Sequence, residues 1–407
     1  MLNSDREILR QLAARWMELA SQPVMAERKR LWTALKDLRA ERPMLLFETP
    51  LLVNYVADAE LECGDADLRQ VERWMRWTIR HAEEVNDDLV LEPHYRVYWD
   101  IEISGYGVEI DAERAVDDYG DQVAVVFTHP IQTPEDFQKL QPRTWKVDRA
   151  KTHQRIQQLS DIFGDILPVK LQGIGSAFAG LTQDLFKLIG NDNLLMWTYD
   201  APDTLHQLMA YLRDDRLAYF RWLEEEGLLE LDNNAEFAGS GSPGFTTSLP
   251  KSGYNGKTRL CDKWIWLESQ ETTMISPAMF KRFFLPYLAE VGRLFGLVYY
   301  GCCEPVHDRW DSIIQAIPNI RAVSISPWCD QKIMAEKLGR QVVFSRKPKP
   351  WLISGDAPDW DGLQQDLDET LAAAGDCNLE IIYRDVYRVA DRRTLRRWTD
   401  LVRSRVG

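Results

Sequence analysis

The stretch LVYYGCCEPVHDRWDSIIQAIPNIRAVSIS, Leu297 to Ser326, decides the fold. It begins with a short apolar run, LVYYG (297–301), and ends with another, RAVSIS (321–326). Runs of this length that lack clean polar alternation read as strands covered on both faces. Between them lies a polar turn, Cys302-Cys303-Glu304, and then His307 in the first turn of an expected helix. Strand, helix and strand in succession imply a parallel pair joined by a right-handed crossover.

Working outward, the same unit recurs. Eight strand candidates are present: MLLFE (44–48), DLVLE (88–92), LPVKLQG (167–173), LLELD (228–232), LVYYG (297–301), RAVSIS (321–326), QVVFS (341–345) and LEIIY (379–383). Helical stretches fall between them. DAPDTLHQLMAYL and SPAMFKRFFLPYLAEV each set a proline near the first helical position behind a capping residue. Eight strand–helix units predict an α/β fold, a closed (β/α)8 TIM barrel, over residues 43–407. Residues 1–42 are expected to be an N-terminal helical extension, opened by the capping box Ser4-x-x-Glu7. Residues 94–130 read as a β-rich insertion after strand 2, and the glycine-rich stretch 238–262 as a lid or binding loop.

Composition narrows the functional classes. The net charge of −14 over 407 residues opposes binding to nucleic acid or to an anionic membrane. There is no signal-peptide pattern and no apolar run long enough for a membrane span, and the six cysteines are scattered. A cytoplasmic protein with reduced thiols is the expectation.

In a barrel, chemistry gathers at the C-terminal ends of the strands. Those ends here carry Glu92 and His94, Gln172, Asp232 and Asn234, Cys302 to Glu304, Arg346 and Lys347, and Arg384. Cys302, Glu304 and His307 are chemically suited to zinc, although their spacing matches no finger or HExxH pattern. A reactive thiol and a structural turn stay open beside the metal. Arg96, Arg346, Lys347 and Arg384 could hold carboxylates, and Glu92 or Asp232 could manage protons. SGYNGKT (252–258) is not a phosphate loop, because Lys251 stands where the motif needs glycine.

The order of segments resembles the uroporphyrinogen decarboxylase superfamily, which includes zinc-dependent methyltransferases acting on methylated corrinoid proteins. The resemblance rests on HPIQTPEDFQKL (129–140), residues 167–209, ISPAMFKRFFLPYLAEV (275–291), VYYGCCEP and EIIYRDVYRVADRRTLRRW (380–398). It implies the barrel, chemistry at Cys302, and a methylated corrinoid as donor. The chain departs from the family in several places. The Met-Arg-Gln-Ala-Gly-Arg and Gly-His-Gly patterns of the decarboxylases are absent. The methyltransferase His-x-Cys reads Tyr300-x-Cys302, and RKPKP (346–350) lacks the further cysteine. Glu304, Cys303, His307 or His94 would have to complete an altered zinc site.

The resemblance thus implies methyl transfer from a methylated corrinoid protein to a small-molecule thiol, activated as a zinc-bound thiolate. One alternative is a metal-free lyase that decarboxylates a polycarboxylate. In it Arg96, Arg346, Lys347 and Arg384 would hold carboxylates and Asp232 or Glu92 would manage protons. The other alternative is a corrinoid- or tetrapyrrole-binding protein without turnover. For the site as a whole the expected catalytic residues are Glu92, Asp232 and Arg384, and the expected substrate-binding residues Arg96, Gln172, Asn234, Arg346 and Lys347. The reading leaves room for a homodimer.

Overall fold

The computed structural model describes residues 3–53, 55–116 and 122–406. Seven strands form the main sheet: β1 (Met44–Phe47), β2 (Phe178–Ala179), β3 (Trp264–Leu267), β4 (Leu297–Tyr300), β5 (Ile320–Ile325), β6 (Val343–Arg346) and β7 (Asn378–Tyr383). Their spatial order is β1-β7-β6-β5-β4-β3-β2, and every neighbouring pair is parallel. Helices occupy the connections, as right-handed crossovers require.

Five of the eight expected strands are members of this sheet: MLLFE, LVYYG, RAVSIS, QVVFS and LEIIY. LPVKLQG supplies a short strand, Val169–Leu171, but it pairs with Tyr95–Val97 outside the main sheet. DLVLE and LLELD form no strand. In place of the missing members stand β2 and β3, which the sequence reading did not anticipate.

Among the described residues the ladder does not close into the expected eight-stranded barrel. Carboxylates explain why. At the free edge of β1, Asp88 accepts the Leu45 amide (2.9 Å) and Asp87 accepts the Phe47 amide (2.8 Å). At the start of β3, Asp232 accepts the Trp264 amide (3.1 Å) and pairs with Lys263 (2.9 Å). Backbone donors are obligatory hydrogen-bonding groups. Here Asp87, just before DLVLE, and side chains from DLVLE and LLELD satisfy them, so those segments run beside the sheet without joining it.

Both faces of the sheet are buried, which accounts for the apolar runs. Leu45, Phe47, Val298, Tyr300, Val323, Phe344 and Ile381 pack into the large cluster with the outer helices. Their alternates Met44, Leu46, Leu297, Tyr299, Ala322, Val343 and Ile382 pack with Trp32, Leu35 and Phe245. Trp32 and Leu35 belong to the helix Pro23–Lys36 of the N-terminal extension. That helix therefore helps fill the inner face of the sheet. Its last residue, Lys36, is fully buried and pairs with Glu380 of β7 at 2.5 Å.

The stretch expected to be a lid or binding loop is inside over its first part, while Ser252, Gly253 and residues 255–257 are exposed. Residues 238–246 are all buried. Gly239 approaches the Tyr299 ring so closely that a Cβ would lie 2.5 Å from it. Within the β-rich insertion Ala112–Val116 pairs antiparallel with Gln122–Phe127, and Asp100–Ile103 pairs antiparallel with Trp145–Asp148, which lies beyond the expected bounds of 94–130. Asp121, within the insertion, lies outside the described residues. SPAMFKRFFLPYLAEV, expected as one helix, is two, Pro277–Phe283 and Leu285–Gly292. Pro286 has no N–H to continue the first. Among the described residues no helix is long and apolar enough to cross a membrane.

Candidate functional site at the strand ends

A parallel sheet with crossover helices leaves its carboxyl-end loops free to form a cleft. Here that cleft is a cavity of about 390 Å³ whose lining includes Trp266, Glu268, Cys302, Cys303, Lys347 and Arg384. These residues come from the ends of β3, β4, β6 and β7. Phe178 of β2 completes one wall, and the exposed rings of Trp328 and Tyr387 stand at the rim.

The thiol pair sits in an acidic surround. Cys302 Sγ and Cys303 Sγ are 3.7 Å apart, and Cys303 Sγ lies 3.6 Å from Asp385 Oδ2. The hydrogen bond with Cys303, together with burial, pushes the Cys302 thiol far up, so it is neutral near pH 7. Glu304 does not point at the sulfurs. One carboxylate oxygen accepts the Cys302 amide (2.8 Å) and the other the Ser269 amide (2.9 Å), tying the β3 and β4 loops together. Burial raises its pKa.

Glu268 is the acid that the sequence reading missed. It follows β3 directly, and β3 itself was overlooked. The signal was available, since WIWLE (264–268) is an apolar run ending in an acid like the others. Glu268 is almost wholly buried. Its Oε2 accepts the Gln270 amide (2.9 Å), while Oε1 has no partner. Burial and the neighbouring Glu271 and Glu304 hold its carboxyl well above the usual range.

Arg384 spans the cavity floor. It pairs with Glu48 (3.2 Å) and Asp385 (3.3 Å), hydrogen-bonds Ser240, and lies 5.8 Å from the Trp266 ring centroid. Lys347 is fully enclosed, and its Nζ donates to Ser345 Oγ at 2.7 Å.

The other expected site residues lie elsewhere. Arg346 is next to Lys347 but points the opposite way, as strand alternation demands. It pairs with Asp366 (2.8 Å) in the outer layer. Asp232 is buried at the amino end of β3, where burial raises its pKa. Gln172 and Asn234 both donate to the Leu231 carbonyl at 3.1 Å and shape loops. Glu92, His94 and Arg96 share a second cavity of about 230 Å³ with Trp16, Trp77 and Glu236. There Arg96 pairs with both Glu92 and Glu236. Burial holds His94 below the usual histidine range.

The residues named for zinc do not fit it as a set. Glu304 is committed to two amides, and His307 Nδ1 accepts the Asp330 amide at 3.2 Å. His94 lines the second cavity rather than the one holding the thiols. Among the described residues, no group of three or more His, Cys, Asp and Glu side chains is arranged to hold a metal ion.

No family model matches the chain, and no curated protein matches it in sequence. Among solved structures the chain is similar to a methyltransferase from Methanosarcina mazei, at 12% sequence identity and a TM-score of 0.49. The alignment covers 92% of this chain and 97% of that one.

Proposed function

We propose that this chain is a methyltransferase-like enzyme that moves a methyl group from a methylated corrinoid protein to the thiol of a small molecule bound in the strand-end cavity. The resemblance of five ordered sequence segments supports this reading. The observation that carries it is the unpaired, buried Oε1 of Glu268 in the cavity that also holds the Cys302–Cys303 pair.

The corrinoid would supply an electrophilic methyl group. An acceptor thiol must lose one proton as its sulfur takes that methyl. In its ionised form, a carboxyl with a raised pKa is a stronger base for a thiol proton than an ordinary carboxylate. Glu268 would hold this proton at Oε1. Trp266 and Phe178 would exclude water and pack against the apolar part of the acceptor. Because the named zinc ligands do not converge, no step is routed through zinc.

The polycarboxylate lyase is less well supported, because its three arginines are already neutralised. Arg96 is held by Glu92 and Glu236, Arg346 by Asp366, and Arg384 by Glu48 and Asp385. The test is incubation of the purified chain with methylcobalamin and a panel of small thiols, with thioether measured by mass spectrometry. Thioether formation lost in Glu268→Gln is expected. No thioether, with or without added zinc, sinks the proposal; tetrapyrrole binding without turnover would then favour the non-catalytic alternative.

A further inference from the structure

Lys36, Arg384 and Lys347 lie close together on the inner face of the sheet. Lys36 pairs with Glu380 at 2.5 Å, and Arg384 pairs with Glu48 at 3.2 Å. Lys347 lies close enough to be influenced by all four of these groups, yet no carboxylate lies within ion-pair distance of its ammonium nitrogen among the described residues. Its hydrogen-bond partner is Ser345 Oγ, which also accepts from Tyr299 OH at 2.8 Å. Its other neighbour is the Tyr299 ring, 5.6 Å away. With Lys347 neutral, the two buried pairs balance each other. With Lys347 charged, a third cation would stand against two buried carboxylates, Glu380 and Glu48, since Asp385, the other partner of Arg384, is partly exposed; that is costly.

Lys347 also borders the cavity. We propose that Lys347 is an amine nucleophile that forms an imine with a small aldehyde or ketone entering the strand-end cavity. The nitrogen lone pair attacks the carbonyl carbon, the C=O bond is replaced by C=N, and the oxygen leaves as water. A buried lysine suits this chemistry because its free amine is present without a strong base. Burial, opposed by Glu380 and Glu48 and reinforced by Arg384 and Lys36, brings its pKa down from 10.5 to about 7. Lys349, two residues on, is partly exposed and pairs with Asp366 at 3.4 Å, so it is the natural control. This activity does not depend on methyl transfer, and the two assays can fail separately.

The test treats the full chain with glyoxylate, and separately with benzaldehyde, in the presence of cyanoborohydride. Hydride from the reductant converts the imine to a stable secondary amine. Peptide mapping then locates the label. The expected result is labelling at Lys347 that exceeds labelling at exposed lysines, half-maximal near pH 7. Label should be absent at this position in Lys347→Met and retained in Lys349→Arg. Labelling confined to exposed lysines, or unchanged total labelling in a folded Lys347→Met, overturns the proposal. If Lys347→Met does not fold, the wild-type peptide map alone decides.

Discussion

Removing the Lys36 ammonium should both destabilise the chain and retune the cavity. Lys36 Nζ and Glu380 Oε2 are 2.5 Å apart, and both side chains are fully buried. Lys36→Met keeps the apolar stem and deletes the charge. Breaking one partner of a buried pair costs about 3–5 kcal/mol, because the other charge is left uncompensated. Glu380 has a second cation in reach, since Ser345 links it to Lys347. We therefore expect a loss near the lower end, about 3 kcal/mol, with Lys347 drawn toward the charged form. The assay is denaturant unfolding of Lys36→Met, Glu380→Gln and the double variant, followed by tryptophan fluorescence. The double variant should lose less than the sum of the singles. The pH midpoint of aldehyde trapping at Lys347 should rise by about one unit or more, since a cation is lost and a carboxylate freed. A Lys36→Met loss below about 1 kcal/mol, the behaviour of an exposed pair, would refute the placement of this helix inside the fold.

Further outcomes follow from single contacts. Lys347 has a folded pKa of about 7, below the ordinary 10.5. The unfolded chain therefore binds more protons between these values, and stability should rise with pH across that window. Lys347→Met should remove this slope in urea melts at pH 7 to 10. Glu268→Gln replaces a buried carboxyl, held well above the usual range, with a neutral isostere that can accept no proton. Thermal melting should barely move, while methyl transfer should fall roughly 100-fold; unchanged turnover would exclude Glu268 as the proton holder. Gly239→Ala would set a Cβ 2.5 Å from the Tyr299 ring and 2.9 Å from Trp266. Overpacking of this kind costs about 1–3 kcal/mol and should show as a lowered denaturation midpoint.

The sequence by itself determined the architecture's repeating unit. Runs such as LVYYG and LEIIY lack polar alternation because both sheet faces are covered, one by outer helices and the other by Trp32, Leu35 and Phe245. That burial is written in composition and can be read locally. It also placed Cys302 and Arg384 correctly at strand ends, because a strand's end marks which loops share a face. Tertiary structure decided what local patterns do not encode. DLVLE and LLELD look like strands, but Asp87, Asp88 and Asp232 spend their carboxylates on the amides of β1 and β3 instead. Direction was also undecided. Arg346 and Lys347 are neighbours in RKPKP, yet one faces Asp366 and the other the cavity. Glu92, His94 and Arg96 looked continuous with the thiol site, but the fold gives them their own cavity. Charge state was the last undecided property. Whether a lysine is an anchor or a nucleophile depends on how many cations and carboxylates are buried around it. Those around Lys347 arrive from a helix ending at Lys36, from Glu48 after β1, and from β7, far apart in the chain.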